Sequence, residues 1–173
     1  MKIKKYKRIL STNLLAKRLR RPEPWLIIVA ESQKKGYGRK GNTWFSPKGG
    51  LYFSVVLPKS KIEDLQILTI LSAFIIAKVI KEEFGLEPFI KLPNDVWLRG
   101  KKIAGVLTEN VVGKEVRFSV MGIGLNTNIE KFPKELEDRA TSLKIELGRE
   151  VENEEILKKI VAGLKEVLKA ISE

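Results

Sequence analysis

Cysteine and histidine are both absent from this chain of 173 residues. Without cysteine there is no disulfide, no thiolate nucleophile and no thiolate metal site, and without histidine there is no imidazole base or metal ligand. Any chemistry must therefore use carboxylates, lysines, arginines, amides and backbone groups.

The sequence also lacks a long apolar run. The first residues, Met1 to Tyr6, include three lysines, and no uninterrupted apolar stretch approaches the length of a membrane span. No Ser-, Pro- or Gly-rich linker and no internal repeat divides the chain. We therefore expect one cytoplasmic domain over residues 1–173, large enough for a sizeable core and without a membrane partner.

Negative charge is scarce relative to positive charge, and the formal net charge is +12. Such a surface attracts anions, which include nucleotides, acidic proteins and nucleic acid. Basic residues cluster near the amino terminus at Lys2, Lys4, Lys5, Lys7, Arg8, Lys17, Arg18, Arg20 and Arg21. Clusters of this kind are typical of a solvated face, and we favour that interpretation over a nucleic-acid surface.

Three segments have the spacing of helices. Ser11 precedes leucines at helical spacing and can cap a short helix that ends before Pro22. Residues 63–84 carry apolar side chains at the same spacing, and Gly85 follows where a C-terminal cap belongs. The third helix, over 154–171, has one apolar face and closes the fold.

Strand patterns occupy much of the rest. The apolar runs predict strands over 25–30, 51–57, 89–92, 96–98, 103–108 and 116–122. Arg99 and Gly100 predict a tight turn between two of them. The fold class is therefore α/β (α+β), a single domain whose mixed, largely antiparallel sheet is backed by helices.

A glycine-rich loop with cationic side chains follows the first predicted strand. Gly36, Gly38 and Gly41 leave backbone N–H groups uncovered, Arg39 adds a planar fork of donors, and Trp44 offers a flat ring. The loop suits an anionic ligand such as an activated carboxylate or a nucleotide. Its spacing matches neither a P-loop nor the dinucleotide fingerprint, and an ordinary hairpin turn is the alternative.

Further polar residues follow at strand ends. Asn94 and Asp95 come after Pro93, an arrangement that suits a turn or, alternatively, a metal contact through Asp95. Lys102 begins an apolar strand in which Gly105 permits close approach of a ligand. Amides after the 116–122 strand, Asn126 among them, could pair with a purine edge or cap a turn.

Taken in order, four segments resemble the catalytic domain of biotin protein ligases. They are Ser-Thr-Asn at 11–13, the Gly-rich loop with its Trp and Ser-Pro at 36–47, Lys-Leu-Pro-Asn-Asp through the lysine and glycine of the next strand at 91–109, and Gly-Ile-Gly-Leu-Asn-Thr-Asn at 122–128. The resemblance covers the chain from about residue 8 to the final helix. It implies a fold similar to that of class II aminoacyl-tRNA synthetases.

The resemblance implies a two-step reaction with biotin and ATP as substrates and Mg²⁺ as cofactor. Biotin and ATP would give biotinyl-5′-AMP and pyrophosphate, and a lysine of a biotin carboxyl carrier domain of a carboxylase would then accept the biotinyl group. By position, Arg39 and Lys102 match the catalytic cations at the biotin carboxyl and the α-phosphate, and Asp95 matches a Mg²⁺ contact. The biotin-binding positions would be Ser11, Thr12, Asn13, Gln33, Tyr37, Gly38, Arg39, Lys102 and Gly105, and the ATP- or adenine-binding positions would be Trp44, Asn94 and Asn126.

The chain departs from the family pattern at several positions. Tyr37 and Asn42 stand where the family usually has arginines, Leu92 replaces a tryptophan, and Leu10 replaces a frequent acidic residue. We find neither an amino-terminal helix-turn-helix segment nor a carboxy-terminal β-barrel domain in the sequence, so we expect no DNA-binding role.

Two alternatives remain open. A lipoate ligase of similar fold would carry an Arg-Arg-x-Ser-Gly-Gly-Gly loop and a following histidine, which this sequence lacks. A non-catalytic protein that binds biotin, an adenylate or nucleic acid is the rival from another class. The chain could also form a homodimer, in which strands such as 51–57 would pair across a two-fold axis.

Overall fold

The structure, a computed structural model, describes residues 2–58 and 65–172. Seven strands form one sheet: β1 (Lys2–Ile9), β2 (Leu26–Gln33), β3 (Leu51–Leu57), β4 (Phe89–Lys91), β5 (Asp95–Leu98), β6 (Lys101–Val112) and β7 (Val116–Leu125). Their order is β1-β2-β3-β7-β6-β5-β4. The pair β1–β2 is parallel and every other neighbouring pair is antiparallel, which confirms the predicted mixed sheet.

Helices cover the two faces of the sheet unequally. The long helices α2 (Leu65–Phe84) and, near the carboxy terminus, α4 (Asn153–Ser172) pack over the main core on one face. The short helix α1 (Thr12–Lys17) lies on the other face, over a small cluster around Ala16, Ile28 and Val120. A further short helix, α3 (Leu143–Leu147), follows the last strand. Across residues 2–58 and 65–172, no helix combines the length and apolar character needed to cross a membrane.

The alternation of side chains along the central strands creates room for a cavity. In β3, Phe53 and Val55 belong to the main core, while Ser54 faces α1 and bonds to Asn13. In β7, which pairs with β3, Gly122 lies directly opposite Ser54. Because successive strand residues point to opposite faces, glycines on the α1 face leave that face open.

Most predicted elements are confirmed, with shifted ends. The helix predicted over 63–84 is α2, although residues 63 and 64 lie outside the described residues, and Gly85 follows it with a φ of 64°. The short helix predicted to end before Pro22 is α1, which ends at Lys17. Arg99 and Gly100 form the predicted tight turn, both with positive φ.

One strand and one α-helix of the described structure were not predicted. β1 is an edge strand with mostly exposed, charged residues, and its lysines interrupt the alternation of apolar and polar residues that would indicate a strand. Helix α3 has only five residues, too few to show a helical period.

The prediction that strand 51–57 pairs across a two-fold axis is wrong. β3 is hydrogen-bonded to β2 on one side and to β7 on the other. Its backbone donors and acceptors are therefore already used within the sheet, and the exposed edges of the sheet are β1 and β4.

Candidate active site

A cavity of about 300 Å³ lies between the Gly-rich loop, the start of α1 and the open face of β6 and β7. Every predicted site residue except Asn126 lines it: Ser11, Thr12, Asn13, Gln33, Tyr37, Gly38, Arg39, Trp44, Asn94, Asp95, Lys102 and Gly105. These residues come from separate parts of the chain and meet only in the folded sheet. The cavity has two chemically different ends, which we call the inner end (around Thr12 and Asn13) and the mouth (around Arg39 and Lys102).

At the inner end, the loop before α1 is fastened to β2. Ser11 caps α1, its hydroxyl accepting a bond from the Leu14 N–H at 3.4 Å. The backbone N–H of Thr12 donates to Gln33 Oε1 at 2.8 Å, and Gln33 Nε2 donates to the Ser46 hydroxyl at 3.0 Å. The polar groups at this end are therefore oriented by the protein before any ligand binds.

The side chain of Asn13 makes three hydrogen bonds to the protein. It is 4% exposed. Its amide nitrogen donates to Glu109 Oε2 at 2.9 Å and to the Leu107 carbonyl at 3.4 Å, and its Oδ1 accepts from Ser54 at 2.5 Å. A methyl group at Gly122 would lie 2.3 Å from Asn13 Oδ1, so that glycine makes room for the side chain. Asn13 therefore forms a fixed wall and has little capacity left for a ligand.

Glycines form the floor of the cavity beneath the Trp44 ring. Gly105 of β6 and Gly124 of β7 are partners in the sheet. A Cβ at Gly124 would lie 2.4 Å from Trp44 Nε1, and one at Gly105 would lie 3.2 Å from Cζ3 of the same ring. The indole rests on bare backbone, and its buried Nε1 has no hydrogen-bond partner among the described residues.

Charged groups gather at the mouth. The Nζ of Lys102 lies 2.7 Å from Asp95 Oδ1 and 5.1 Å from the centroid of the Trp44 ring. Both side chains of this ion pair are partly buried. The exposed Arg39 reaches Asn94 Oδ1 only at 3.4 Å. Arg39 is therefore weakly held and available to an anionic ligand, whereas Lys102 would share its charge between Asp95 and such a ligand.

Asp95 has the features of a magnesium contact. Among residues 2–58 and 65–172 no group of three or more acidic side chains could hold a metal ion by itself. Magnesium in nucleotide sites is commonly bound by one or two carboxylates together with substrate phosphates. The single carboxylate of Asp95 at the mouth fits that mode, and its Oδ1 is at present paired with the Lys102 ammonium.

An ion-paired carboxylate, Glu109, joins the inner end to the loop. It bonds to Tyr37 at 2.7 Å and pairs with Lys17 at 2.6 Å. Burial would raise the pKa of Glu109, but hydrogen bonds from Lys17, Tyr37 and Asn13 outweigh it and hold the pKa below its usual value. Burial and the bond to Glu109 raise the pKa of Tyr37. Sequence reasoning missed Glu109 and Lys17, because nothing in their spacing links them.

The structure does not bring Asn126 to the cavity. The residue is 3% exposed, and its amide nitrogen donates to the Thr141 carbonyl at 3.0 Å. Its backbone groups bond to Ile103 and Leu143. These bonds fasten the 141–143 segment to the sheet, and contact of Asn126 with adenine stays a prediction. Glycine spacing could instead have revealed Gly122 and Gly124, which do line the cavity.

The fold and the cavity define a class of α/β domain in which a cationic, glycine-rich loop covers a small-ligand site on a glycine floor. The chain belongs to the biotin/lipoate A/B protein ligase family, whose model matches residues 6–126.

Relatives and solved structures support this placement. The chain is 36% identical over 140 residues to the bifunctional ligase/repressor BirA of Bacillus subtilis, covering 78% of this chain and 43% of that protein. It is 31% identical to the biotin–[acetyl-CoA-carboxylase] ligase of Paracoccus denitrificans, covering 75% and 57%. The structure of Aquifex aeolicus biotin protein ligase in complex with biotin and ATP superimposes with a TM-score of 0.91 at 33% identity, covering 99% of this chain and 72% of that one. The chain thus spans less than half the length of the Bacillus relative.

Proposed function

We propose that this domain is an enzyme that activates biotin with ATP and transfers the biotinyl group to a lysine of a carrier protein. The main observation behind this proposal is the cavity, which has Arg39 and Lys102 at its mouth and glycines along its floor. Support also comes from the Aquifex structure, which holds biotin and ATP and shares the fold over nearly the whole chain.

In the first step, two anions must approach each other. The biotin carboxylate attacks the α-phosphorus of ATP, the bond to the pyrophosphate breaks, and negative charge builds on the leaving group. Lys102 and Arg39 offset this charge from the mouth of the cavity. Asp95 would hold Mg²⁺, which supplies further charge neutralisation at the phosphates.

The inner end would select the neutral part of biotin. Ser11, Thr12 and Gln33 line that end, with Thr12 and Gln33 already bonded to each other. A preorganised polar wall discriminates strongly against ligands that leave its buried groups unpaired. Trp44 would stack on the adenine ring at the mouth.

The second step needs no protein nucleophile. Biotinyl-5′-AMP is a mixed anhydride, so the ε-amine of an acceptor lysine attacks its carbonyl and AMP leaves. The acceptor we propose is the biotin carboxyl carrier domain of a carboxylase, since two relatives, 31% and 30% identical to this chain, are named as ligases for acetyl-CoA carboxylase. An acidic carrier surface would suit the net charge of +12. A homodimer formed by adding strands would have to use the β1 or β4 edge.

Lipoate ligation is the second candidate, because the family model covers biotin and lipoate ligases alike. To test this, the protein would be incubated with ATP and Mg²⁺, and the release of pyrophosphate would be measured with biotin and, separately, with lipoate. Biotin-dependent release that lipoate does not support is the expected result. Release with lipoate alone would reassign the substrate, and release with neither would leave a binding protein.

A further inference from the structure

The Gly-rich loop is tied to its surroundings by backbone hydrogen bonds only near its two ends, where Lys35 N–H bonds to Leu10 and Gln33 N–H bonds to Ser46. Between residues 36 and 44 its backbone hydrogen bonds are internal: Gly38 N–H to Asn42 at 2.8 Å, Asn42 N–H to Arg39 at 3.2 Å and Trp44 N–H to Gly36 at 2.9 Å. These bonds shape the loop, but they do not fix its position over the cavity. Between the anchored ends, the contacts of the loop with the rest of the described structure are made by side chains.

Tyr37 makes the shortest polar side-chain contact from this loop to another element of the described structure. Its hydroxyl donates to Glu109 Oε2 on β6 at 2.7 Å, whereas Arg39 reaches Asn94 at 3.4 Å. Tyr37 also accepts a long contact from Lys17 at 3.5 Å, and the Lys17 ammonium lies 5.9 Å from its ring centroid. The loop is therefore tied down two residues before Arg39.

Glu109 accepts hydrogen bonds from three side chains. It accepts from Tyr37 in the loop, from Asn13 in α1, and from Lys17 at the end of α1. Its side chain is 22% exposed and that of Lys17 is 30% exposed, so the pair is partly shielded from water. A shielded carboxylate needs a cation nearby to stay charged, and a charged acceptor makes stronger hydrogen bonds.

We propose that Glu109 is a positioning residue that clasps the Gly-rich loop to the wall of the cavity, and that Lys17 supplies the charge that the clasp requires. The clasp sets where Arg39 stands relative to the inner end. Its consequence for a bound adenylate rests on the proposed function, whereas its effect on the loop does not.

The first test measures the loop without any ligand. Tyr37→Phe removes only the hydroxyl, and Glu109→Gln keeps the shape but removes the charge. We expect amide hydrogen exchange at Gly38 and Trp44 to become about tenfold faster in both variants, as loss of a bond to a charged group predicts. Tyr6→Phe, outside the cavity beside the α1 cluster, is the matched control and should leave exchange unchanged. Unchanged exchange in both clasp variants would overturn the proposal, even if the protein binds no biotin.

The second test separates the role of Lys17 from general stability. Lys17→Met should speed loop exchange in the presence of Tyr37, because Glu109 loses its cation. In a Tyr37→Arg background the guanidinium can pair with Glu109 directly, so the same Lys17→Met change should have little effect. Such a non-additive cycle is expected of residues that share one partner. Equal effects in both backgrounds would show that Lys17 is an ordinary stabilising residue and would remove it from the clasp.

The third measurement concerns the ligand. If the clasp positions Arg39, dissociation of a non-hydrolysable biotinyl-adenylate analogue should be several-fold faster in Tyr37→Phe, and the Tyr6→Phe control should match the parent protein. Faster loop exchange with unchanged dissociation would restrict the clasp to the free protein and overturn its role in positioning Arg39.

Discussion

The two ends of the cavity differ in how fully their polar groups are bonded. At the inner end, Asn13 and Gln33 have short protein partners and Asn13 is buried. At the mouth, Lys102 pairs with Asp95 at 2.7 Å, but Arg39 is exposed with one hydrogen bond at 3.4 Å, and the indole N–H of Trp44 has no partner among the described residues. A bonded wall is rigid before binding and selects shape, whereas an under-bonded mouth gains most of its interactions when a charged ligand arrives.

Removal of a cation from the mouth should have the largest effect on the reaction. Lys102→Ala should lower adenylate formation by roughly 10²-fold or more, as loss of an electrostatic donor to developing charge does elsewhere. Pyrophosphate release measures the effect. Lys101→Ala is the control, since its ammonium bonds to the Glu137 carbonyl and does not line the cavity. Near-normal release in Lys102→Ala would remove this lysine from the site.

Alanine substitutions at Gly122 and Gly124 of β7 would each add one methyl group, the first at the inner end and the second at the mouth. A Cβ at Gly122 would meet Asn13 and one at Gly124 would meet Trp44. Overpacking of this kind costs about 1–3 kcal/mol. We expect Gly122→Ala to raise the KM for biotin and Gly124→Ala to raise the KM for ATP. If each variant raised both the KM for biotin and the KM for ATP, the two ends would not act separately.

Trp44→Ala tests the mouth by removal of its aromatic surface. Loss of a stacked ring is worth about 1–3 kcal/mol per base where it has been measured. The KM for ATP should rise accordingly while biotin affinity, followed by calorimetry, scarcely changes. Trp97→Ala, a half-buried tryptophan that does not line the cavity, is the control. An unchanged ATP titration would assign Trp44 to packing on the glycine floor.

Features that depend on neighbouring residues could be predicted from the sequence, whereas the long-range hydrogen bonds of the inner end could not. Ser11 could be predicted as a helix cap because capping depends on neighbouring residues, and Gly85 as a helix end for the same reason. Glu109 acts through α1 and through the loop, which lie far from it in sequence. Asn126 has a suitable residue type at a strand end, but only the fold shows that its amide nitrogen donates to the Thr141 carbonyl. Local chemistry could be predicted, whereas long-range partners required the fold.

Arg39 tests whether the mouth holds the intermediate between the two steps. Arg39→Gly should release biotinyl-5′-AMP about tenfold faster, because a charge-assisted contact to the phosphate is lost. Escaped adenylate acylates nearby lysines, so streptavidin blotting should show labelling of an unrelated lysine-rich protein. Arg99→Gly is the control, since it removes an exposed arginine with positive φ that does not line the cavity. Labelling confined to the true acceptor at the parent rate would show that backbone N–H groups hold the ligand.

The smallest expected effect is the pH dependence that Glu109 gives to stability at the inner end. The folded protein holds the pKa of Glu109 below the ordinary value of 4.5, despite burial, through its bonds to Lys17, Tyr37 and Asn13. A carboxyl group with a depressed folded pKa stabilises the protein at pH above its unfolded pKa, and that contribution disappears as the pH falls through the folded pKa. The difference in unfolding free energy between the parent protein and Glu109→Gln should therefore be constant near neutral pH and shrink below about pH 4.5. Urea titrations at several pH values measure it, with the exposed Glu87→Gln as the control. A difference that stays constant down to pH 3 would mean that the charge of Glu109 contributes nothing to the wall, and the contrast between a bonded inner end and an open mouth would then rest on neutral hydrogen bonds alone.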